Sequence, residues 1–354
     1  MAENEVIVRP EQLENFLTDL FERAGMTRDD AAYSAHALVL TNLWGIDSHG
    51  VLRAAIYLER LSKRVVNPRP NIQTIRGGFA LEVLDGDDGL GYIVGRAAMN
   101  RAIELAEKFN IAAVGAIKSN HFGAAALYAR LAAERGMIGI AMTNVVPNVV
   151  APGGKKPITG NNPLAIAIPT YGDFPFVLDM SMSAVAGGKL LLAAKKGQKI
   201  PLDWATDKEG RPTDDPTAGF AGFLLPMGGY KGLGLSYVVD ILSGLITGGV
   251  FGDQMKGMYT HPNDPSLTGH FMIAINAAAI IGKDEMQSRM NAFYQRIKTS
   301  PMWDEQGEMF LPGEIEYRSA IKRQREGIPL PQKLFDELVA LGNKMGASST
   351  LTQM

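Results

Sequence analysis

Leu13, Phe16, Leu17, Leu20 and Phe21 recur at helical spacing behind Pro10, and the run stops at Gly25, so residues 10–24 read as an amphipathic helix. Thr27 suits the cap of a second helix through Ala31, Ala35, Leu38, Val39 and Leu43. A third pattern runs from about Gly50 to Ser62 and is broken by Pro68 and Pro70. The period then changes. Ile72–Ile75 and Leu81–Leu84 read as short strands, and Asp85-Gly86-Asp87-Asp88-Gly89 as a turn.

Helical spacing at Ala97, Ala98, Ala102, Ile103, Leu105 and Ala106 leads to Ile111–Ile117, an apolar run short enough for a buried strand. An alanine-rich helix from about Ala124 to Arg135 and a second apolar run, Met137–Met142, follow. This alternation predicts an α/β fold: a mixed, partly parallel central sheet with flanking helices, and helical N-terminal and C-terminal segments. Further along, Leu164–Ile168, Phe174–Leu178 and His270–Ile275 read as strands, and residues 202–225 as an irregular excursion. The most apolar helix, entered at Gly228-Gly229-Tyr230-Lys231-Gly232 and ending at Gly248-Gly249, is expected at the centre of the fold. Helices at about 284–298, 316–325 and 332–341 complete the chain, with a frayed tail from Ser348.

Composition narrows the chemistry. The 354 residues contain no cysteine, which excludes disulfides, thiolate nucleophiles and cysteine-ligated metals. With 35 basic and 37 acidic residues and no long run of either sign, neither nucleic acid nor a membrane surface is an expected partner. Residues 1–5 lack a secretory pattern and the longest apolar stretch contains Asp240, so the expected location is cytoplasmic. The expected partner is a small molecule.

Five histidines occur, and only His49 and His121 sit at element boundaries beside small or polar residues. On a helix opening near Gly50, His49, Arg53 and Tyr57 fall at i, i+4 and i+8 on one face. An anionic substrate would bridge them, since Arg presents a fork matched to a carboxylate and His exchanges protons near neutrality. A helix cap beside a surface arginine accounts equally for the same residues. His121 opens a helix, where free N–H groups favour an anion. Asp179 suits either a ribose hydroxyl or a helix cap, and Lys231 either a phosphate or solvent. No metal-binding histidine spacing is present, and the glycine fingerprint of Rossmann folds is missing.

Five blocks in order, Gly45-Ile46-x-Ser48-His49-Gly50-x-x-Arg53-x-x-x-Tyr57, Ser119-Asn120-His121-Phe122-Gly123, Thr159-Gly160-x-Asn162-Pro163, Asp179-Met180-Ser181-x-Ser183 and Leu311-Pro312-Gly313-Glu314, resemble the malate/L-lactate dehydrogenase family. That family also contains ureidoglycolate, sulfolactate and diketogulonate enzymes. The resemblance implies a non-Rossmann fold that binds NAD or NADP, oxidoreduction of a small 2-hydroxy carboxylic acid, and a homodimer. It implies His49 as proton donor with Ser48 as its neighbour, His121 as a second acid/base, and Arg53 and Tyr57 at the substrate. Cofactor contacts would come from His121, Phe122, Gly123, Ala124 and Ala125, from Asp179, Met180 and Ser181, from Lys231 and Gly232, and from Pro312, Gly313 and Glu314. Asn162 lies in a matching block. Where imine-reducing members carry an aspartate this chain has Lys189, which favours keto or hydroxy acids. The division expected is a helical segment, 1–75, joined by 315–345, beside a cofactor-binding α/β core, 76–314. A metal-dependent hydrolase built on His49 and His121, or a non-catalytic ligand-binding protein, are the alternatives.

Overall fold

The computed structural model describes residues 5–304 and 306–354; residues 1–4, at the head of the expected helical segment, lie outside the described residues. The chain opens with β1 (Glu5–Val8), α1 (Pro10–Arg23), α2 (Arg28–Leu43) and α3 (Ala54–Ser62). It continues through β2 (Gln73–Gly78), β3 (Leu81–Asp85), α4 (Gly91–Phe109), β4 (Ile111–Ser119), α5 (Ala126–Glu134) and β5 (Ile138–Thr143). Short strands β6 (Val149–Val150) and β7 (Pro157–Thr159) precede β8 (Leu164–Ile168) and β9 (Phe176–Met180). Then come α6 (Gly187–Lys196), β10 (Ala205–Thr206), α7 (Pro216–Ala221), β11 (Phe223–Leu224) and α8 (Tyr230–Asp240). The last elements are β12 (Thr268–Ile275), α9 (Lys283–Lys298), α10 (Glu314–Glu326), β13 (Ile328–Pro331) and α11 (Gln332–Met345).

The main sheet has seven strands in the order β2-β3-β4-β12-β5-β8-β9. It is mixed, as the alternation of elements implies. Only β3 and β4 pair in parallel, across the α4 crossover, and the remaining pairs are antiparallel. Strands β4 and β5 run in the same direction, but β12, more than a hundred residues later, is inserted between them. A strand buried on both faces reads as a continuous apolar run, and β12 buries Thr268 to Met272 in succession.

Helices α4 and α5 cover one face of the sheet, packing on β4, β12, β5 and β8. The opposite face carries α8 and a π-turn, Ile241–Leu245, and Phe271 packs there with Val239 and Met142. At Gly115 on β4 an added Cβ would come within 2.5 Å of Thr247 Cγ2, so the close approach of this layer needs glycine.

Four expectations change. The most apolar helix is not central: α8 buries Leu233, Ser236 and Val239 but leaves Leu235, Tyr237 and Val238 exposed, because none of the described residues covers that face. The stretch 202–225 holds the helix α7 and the strands β10 and β11, which join β6 and β7 in a second small sheet. The third helix begins at Ala54 rather than Gly50, after two 3₁₀ turns, Asp47–His49 and Val51–Arg53. The tail is pinned rather than frayed: Asp19 Oδ2 accepts from Ser348 N (2.6 Å) and Ser349 N (3.1 Å), and Met354 N donates to Ile7 O. Strand β1 pairs with β13, and one buried apolar cluster runs from Val6 to Leu351. Among the described residues no helix is long and apolar enough to cross a membrane.

Candidate active site

The turn carrying His49 is held from below. Asn42, at the end of α2, donates from Nδ2 to Asp47 Oδ1 (2.6 Å) and accepts at Oδ1 from Val51 N (2.8 Å). Arg323 of α10 grips both oxygens of Asp47 at 2.6 and 3.0 Å. A Cβ on Gly50 would lie 2.1 Å from Asn42 Oδ1, so the clamp closes only over glycine. Two short turns therefore replace the regular helix expected at this point. Their backbone folds Arg53 back so that its Nε donates to Ser48 O at 2.8 Å.

His49 and His121 stack with ring centroids 5.7 Å apart and planes inclined by 23°. Ser48 Oγ lies 2.9 Å from His49 Nδ1, and Tyr57 Oη lies 2.6 Å from His121 Nδ1. Each imidazole is anchored through Nδ1, which makes Nε2 the nitrogen available to a substrate. Burial, and then the charge of Arg53, holds His49 down at about 4. Burial, followed by the charges of His49 and Arg53, holds His121 well below the ordinary imidazole range. Burial also pushes the Tyr57 phenol above its ordinary value, so this hydroxyl keeps its proton. Both imidazoles are neutral at pH 7, ready to accept a proton.

Strand β4 delivers His121 and its successors. Phe122 is buried between Tyr128 and His270, with both ring centroids at 4.7 Å, and Gly123 has φ +75° with Tyr92 Cε1 only 2.6 Å from where a Cβ would stand. Ala124 and Ala125 are buried. His270 is itself enclosed, 2.8 Å from Thr143 Oγ1 and 2.7 Å from Ser119 Oγ, and burial holds it at about 3. It forms part of the platform under Phe122.

Asp179, at the end of β9, accepts from Ala126 N at 2.9 Å and thus caps α5 from across the fold. The helix it caps precedes it in the chain, beginning 53 residues earlier. Burial pushes its carboxyl up to about 6; the Ala126 N–H pulls against this rise and Glu316 adds to it. Met180 and Ser181 continue from Asp179, and Ser181 Oγ lies 3.1 Å from Ser183 Oγ. Pro312 lies against the start of the same strand, its carbonyl accepting from Val177 N at 3.0 Å, and Gly313 turns into α10 with φ +90°. The Glu314 side chain is buried and engaged by Lys298 (2.7 Å), Arg318 (2.6 Å) and Leu311 N (3.1 Å), so it braces the loop. Burial opposes its ionisation, yet these partners outweigh burial and hold it below the usual carboxylate range. Asn162 is likewise structural in its contacts, accepting from Val145 N and donating to Thr159 Oγ1 and Ser236 O.

Whether a dinucleotide fits is tested by the backbone around α6 and α8. The segments leading into these helices are stitched together by Met227 N to Met182 O, 2.8 Å, and by a bridge between Ser183 and Pro226. Added Cβ atoms at Gly187, Gly188, Gly228 and Gly229 would meet nothing within 4 Å, so open backbone stands beside two helix starts. A pyrophosphate suits such a place. Lys231 and Lys189 are exposed in the first turns of these helices, and Gly232 N donates to Met227 O at 3.0 Å. Among the described residues no group of three or more His, Asp or Glu is placed to hold a metal ion.

Sequence reasoning missed Asn42, Asp47, Arg60, Tyr259 and Arg323. Tyr259 had no signal to find it by, since it stands in a polar loop outside any periodic pattern. Arg60 continues the helical face of Arg53 and Tyr57 and was legible only in hindsight of that spacing.

The profile of the malate/L-lactate dehydrogenase family matches residues 8–339. This chain belongs to that family. It is 37% identical to the L-sulfolactate dehydrogenase of Methanocaldococcus jannaschii over 96% of this chain and 98% of that one. It is 38% identical to the malate dehydrogenase of Pyrococcus abyssi over 97% of this chain and 96% of that one. The solved structure of the M. jannaschii enzyme superposes with a TM-score of 0.90, covering 96% of this chain and 97% of that one. That of Pyrococcus horikoshii malate dehydrogenase gives 0.88 at 35% identity, covering 98% and 97%. Neither alternative, metal-dependent hydrolase or passive binding protein, gains support from these likenesses.

Proposed function

We propose that the protein is a dehydrogenase that interconverts a small 2-hydroxy acid and its 2-oxo acid with NAD or NADP. The observation that carries this reading is the stacked, neutral pair His49 and His121 beside Arg53. When bound, the nicotinamide supplies or accepts the hydride at C2 of the substrate. The chain's own residues do the rest. Arg53 retains an open Nη edge, which holds the substrate carboxylate, and Tyr57 stands beside it through His121. His49, its ring fixed by Ser48, removes the hydroxyl proton in oxidation and returns one to the oxygen in reduction. His121, oriented by Tyr57 and stacked against His49, is the second proton-handling group.

Phe122 to Ala125 and the strand end Asp179 to Ser181 would seat the cofactor, together with Pro312-Gly313. The open glycines before α6 and α8, with Lys231 and Gly232, would hold its phosphates. The relatives named above act on sulfolactate and malate, acids with a second anionic group, which supports a substrate of that class here. Lys189 in place of an acidic residue favours oxo and hydroxy acids over imines.

The exposed apolar face of α8 and the π-turn supports a homodimer, and the lack of cysteines suits a cytoplasmic setting. The test of the reaction is nicotinamide oxidation with oxaloacetate, 3-sulfopyruvate and pyruvate in the wild type and in His49→Ala and His121→Ala. Removing a general acid/base costs roughly 10² to 10⁴ in rate. Loss in His49→Ala without loss of cofactor binding supports the assignment, and a selective loss in His121→Ala moves the role to that residue.

A further inference from the structure

Arg60 is fully buried, yet among the described residues no carboxylate side chain bonds it. Its Nη1 donates to His261 O and Pro262 O, both at 3.3 Å, and its Nη2 to Asp264 O at 2.9 Å, Ser266 Oγ at 3.2 Å and Asn120 Oδ1 at 3.2 Å. A guanidinium taken out of water must have its donors satisfied, and here one loop and one asparagine satisfy them. The loop is closed at its base by Lys256 N to Ser266 O and turned within itself by His261 N to Gly257 O at 2.8 Å. Asn120 immediately precedes His121 and is fixed by donating to Asp88 O and Gly89 O. Arg60 thus ties the 257–266 loop to α3, which follows Arg53 and carries Tyr57, and to the strand end that carries His121.

What the loop presents is Tyr259. Its hydroxyl accepts from Arg53 Nη1, and the guanidinium lies over its ring at 5.5 Å from the centroid. Arg53 spends Nε on Ser48 O. The second Nη1 hydrogen and both Nη2 hydrogens remain for a carboxylate. A phenol that accepts from Arg53 still has its own O–H to donate, close beside the same guanidinium.

We propose that Tyr259 is a further substrate-binding residue whose hydroxyl donates to the carboxylate gripped by Arg53, and that Arg60 is the positioning residue that holds it there. This rests on the reading of Arg53 as the carboxylate site. The fork of Arg53 and the phenol of Tyr259 together favour a carboxylate over a neutral amide or ester, because the guanidinium offers two parallel donors and a charge that only the carboxylate matches.

The experiment compares wild type, Tyr259→Phe, Arg53→Lys, Arg60→Met and the double variant that combines Tyr259→Phe with Arg60→Met. It measures KM and kcat for oxaloacetate and 3-sulfopyruvate, cofactor affinity by nicotinamide fluorescence, and binding of oxalate to the cofactor-loaded protein by calorimetry. Tyr259 is exposed, so its loss of one oxygen leaves folding intact. The expected result for Tyr259→Phe is KM and the oxalate Kd raised about tenfold, the effect of one hydrogen bond to a charged group, with kcat and cofactor affinity unchanged. Arg60→Met should raise KM alike, and the double variant should be no worse than the worse single one, because both act through one phenol. Loss in Arg53→Lys but none in Tyr259→Phe overturns the inference and leaves the carboxylate site standing. Loss in neither overturns both. Additive losses in the double variant overturn the positioning role of Arg60.

Discussion

At the scale of single residues, the chemistry turns on electrostatics that a bound acid would change. His49 is held at about 4 by burial and by Arg53. A carboxylate docked on Arg53 cancels that repulsion and favours the imidazolium, so proton affinity rises when substrate binds. In the oxidation direction, where neutral His49 is the base, kcat/KM reports the free enzyme and should stay level on acidification until about pH 4. The kcat profile, which reports the substrate complex, should fall at a distinctly higher pH. Identical midpoints in the two profiles would mean that Arg53 and His49 do not share a substrate. The same residues show what a sequence conveys: the spacing of His49, Arg53 and Tyr57 pointed to this region of the chain, but the single helix face it implied is replaced by two 3₁₀ turns ahead of α3. The grip of Arg323 on Asp47 spans 276 residues and has no local signature, and the backward fold of Arg53 onto Ser48 follows from two 3₁₀ turns standing where a helix was expected.

At the scale of elements, long periodic helices and short apolar strands were legible because their burial pattern is local. Strands Leu164–Ile168 and Ile111–Ser119 and helices α1, α2, α9 and α11 follow the expected pattern closely. Pairings between distant segments were not, so β1 with β13 and the insertion of β12 between β4 and β5 had no local signature. Helix α8 shows the ambiguity of an all-apolar helix, since its unpartnered face carries the hydrophobicity expected of a core helix. Leu235, Tyr237, Val238, Ile241, Leu245 and Ile246 are each more than a third exposed. A contiguous exposed apolar face of this kind marks an interaction site. If two copies meet through it, Ile241→Glu together with Ile246→Glu should shift the mass in light scattering from dimer to monomer while leaving the circular dichroism spectrum intact. A wild type that already runs as a monomer at micromolar concentration would remove the homodimer.

At the scale of the whole molecule, one buried histidine and two half-buried ones couple stability to pH. His49, His121 and His270 are all depressed from the ordinary 6.5, to about 4, well below it, and about 3 respectively. Between about pH 6.5 and 4 the unfolded chain binds protons at these positions and the folded chain does not, so stability rises with pH across that window. Each fully displaced group contributes about 1.4 kcal/mol per pH unit. Asp179, raised to about 6, has the opposite sign and offsets one of the three. His36 is raised by its bond to Glu14 and acts only above this window. The melting temperature should therefore drop as the solution is acidified from about pH 6.5 toward 5, well before ordinary carboxylates titrate. A flat profile over that interval would mean that the histidines are open to water.

The central claim is that a neutral histidine beside a carboxylate-binding arginine moves the proton of a 2-hydroxy acid. The measurement that tests it most directly is nicotinamide oxidation by wild type and His49→Ala, with NADH and with NADPH, against oxaloacetate, 3-sulfopyruvate and pyruvate. The account predicts turnover of at least one oxo acid with one of the cofactors, reduced roughly 10² to 10⁴ in the variant at unchanged cofactor affinity. Turnover that survives intact in His49→Ala, or a wild type that binds the cofactor and reduces none of the three acids, would contradict it.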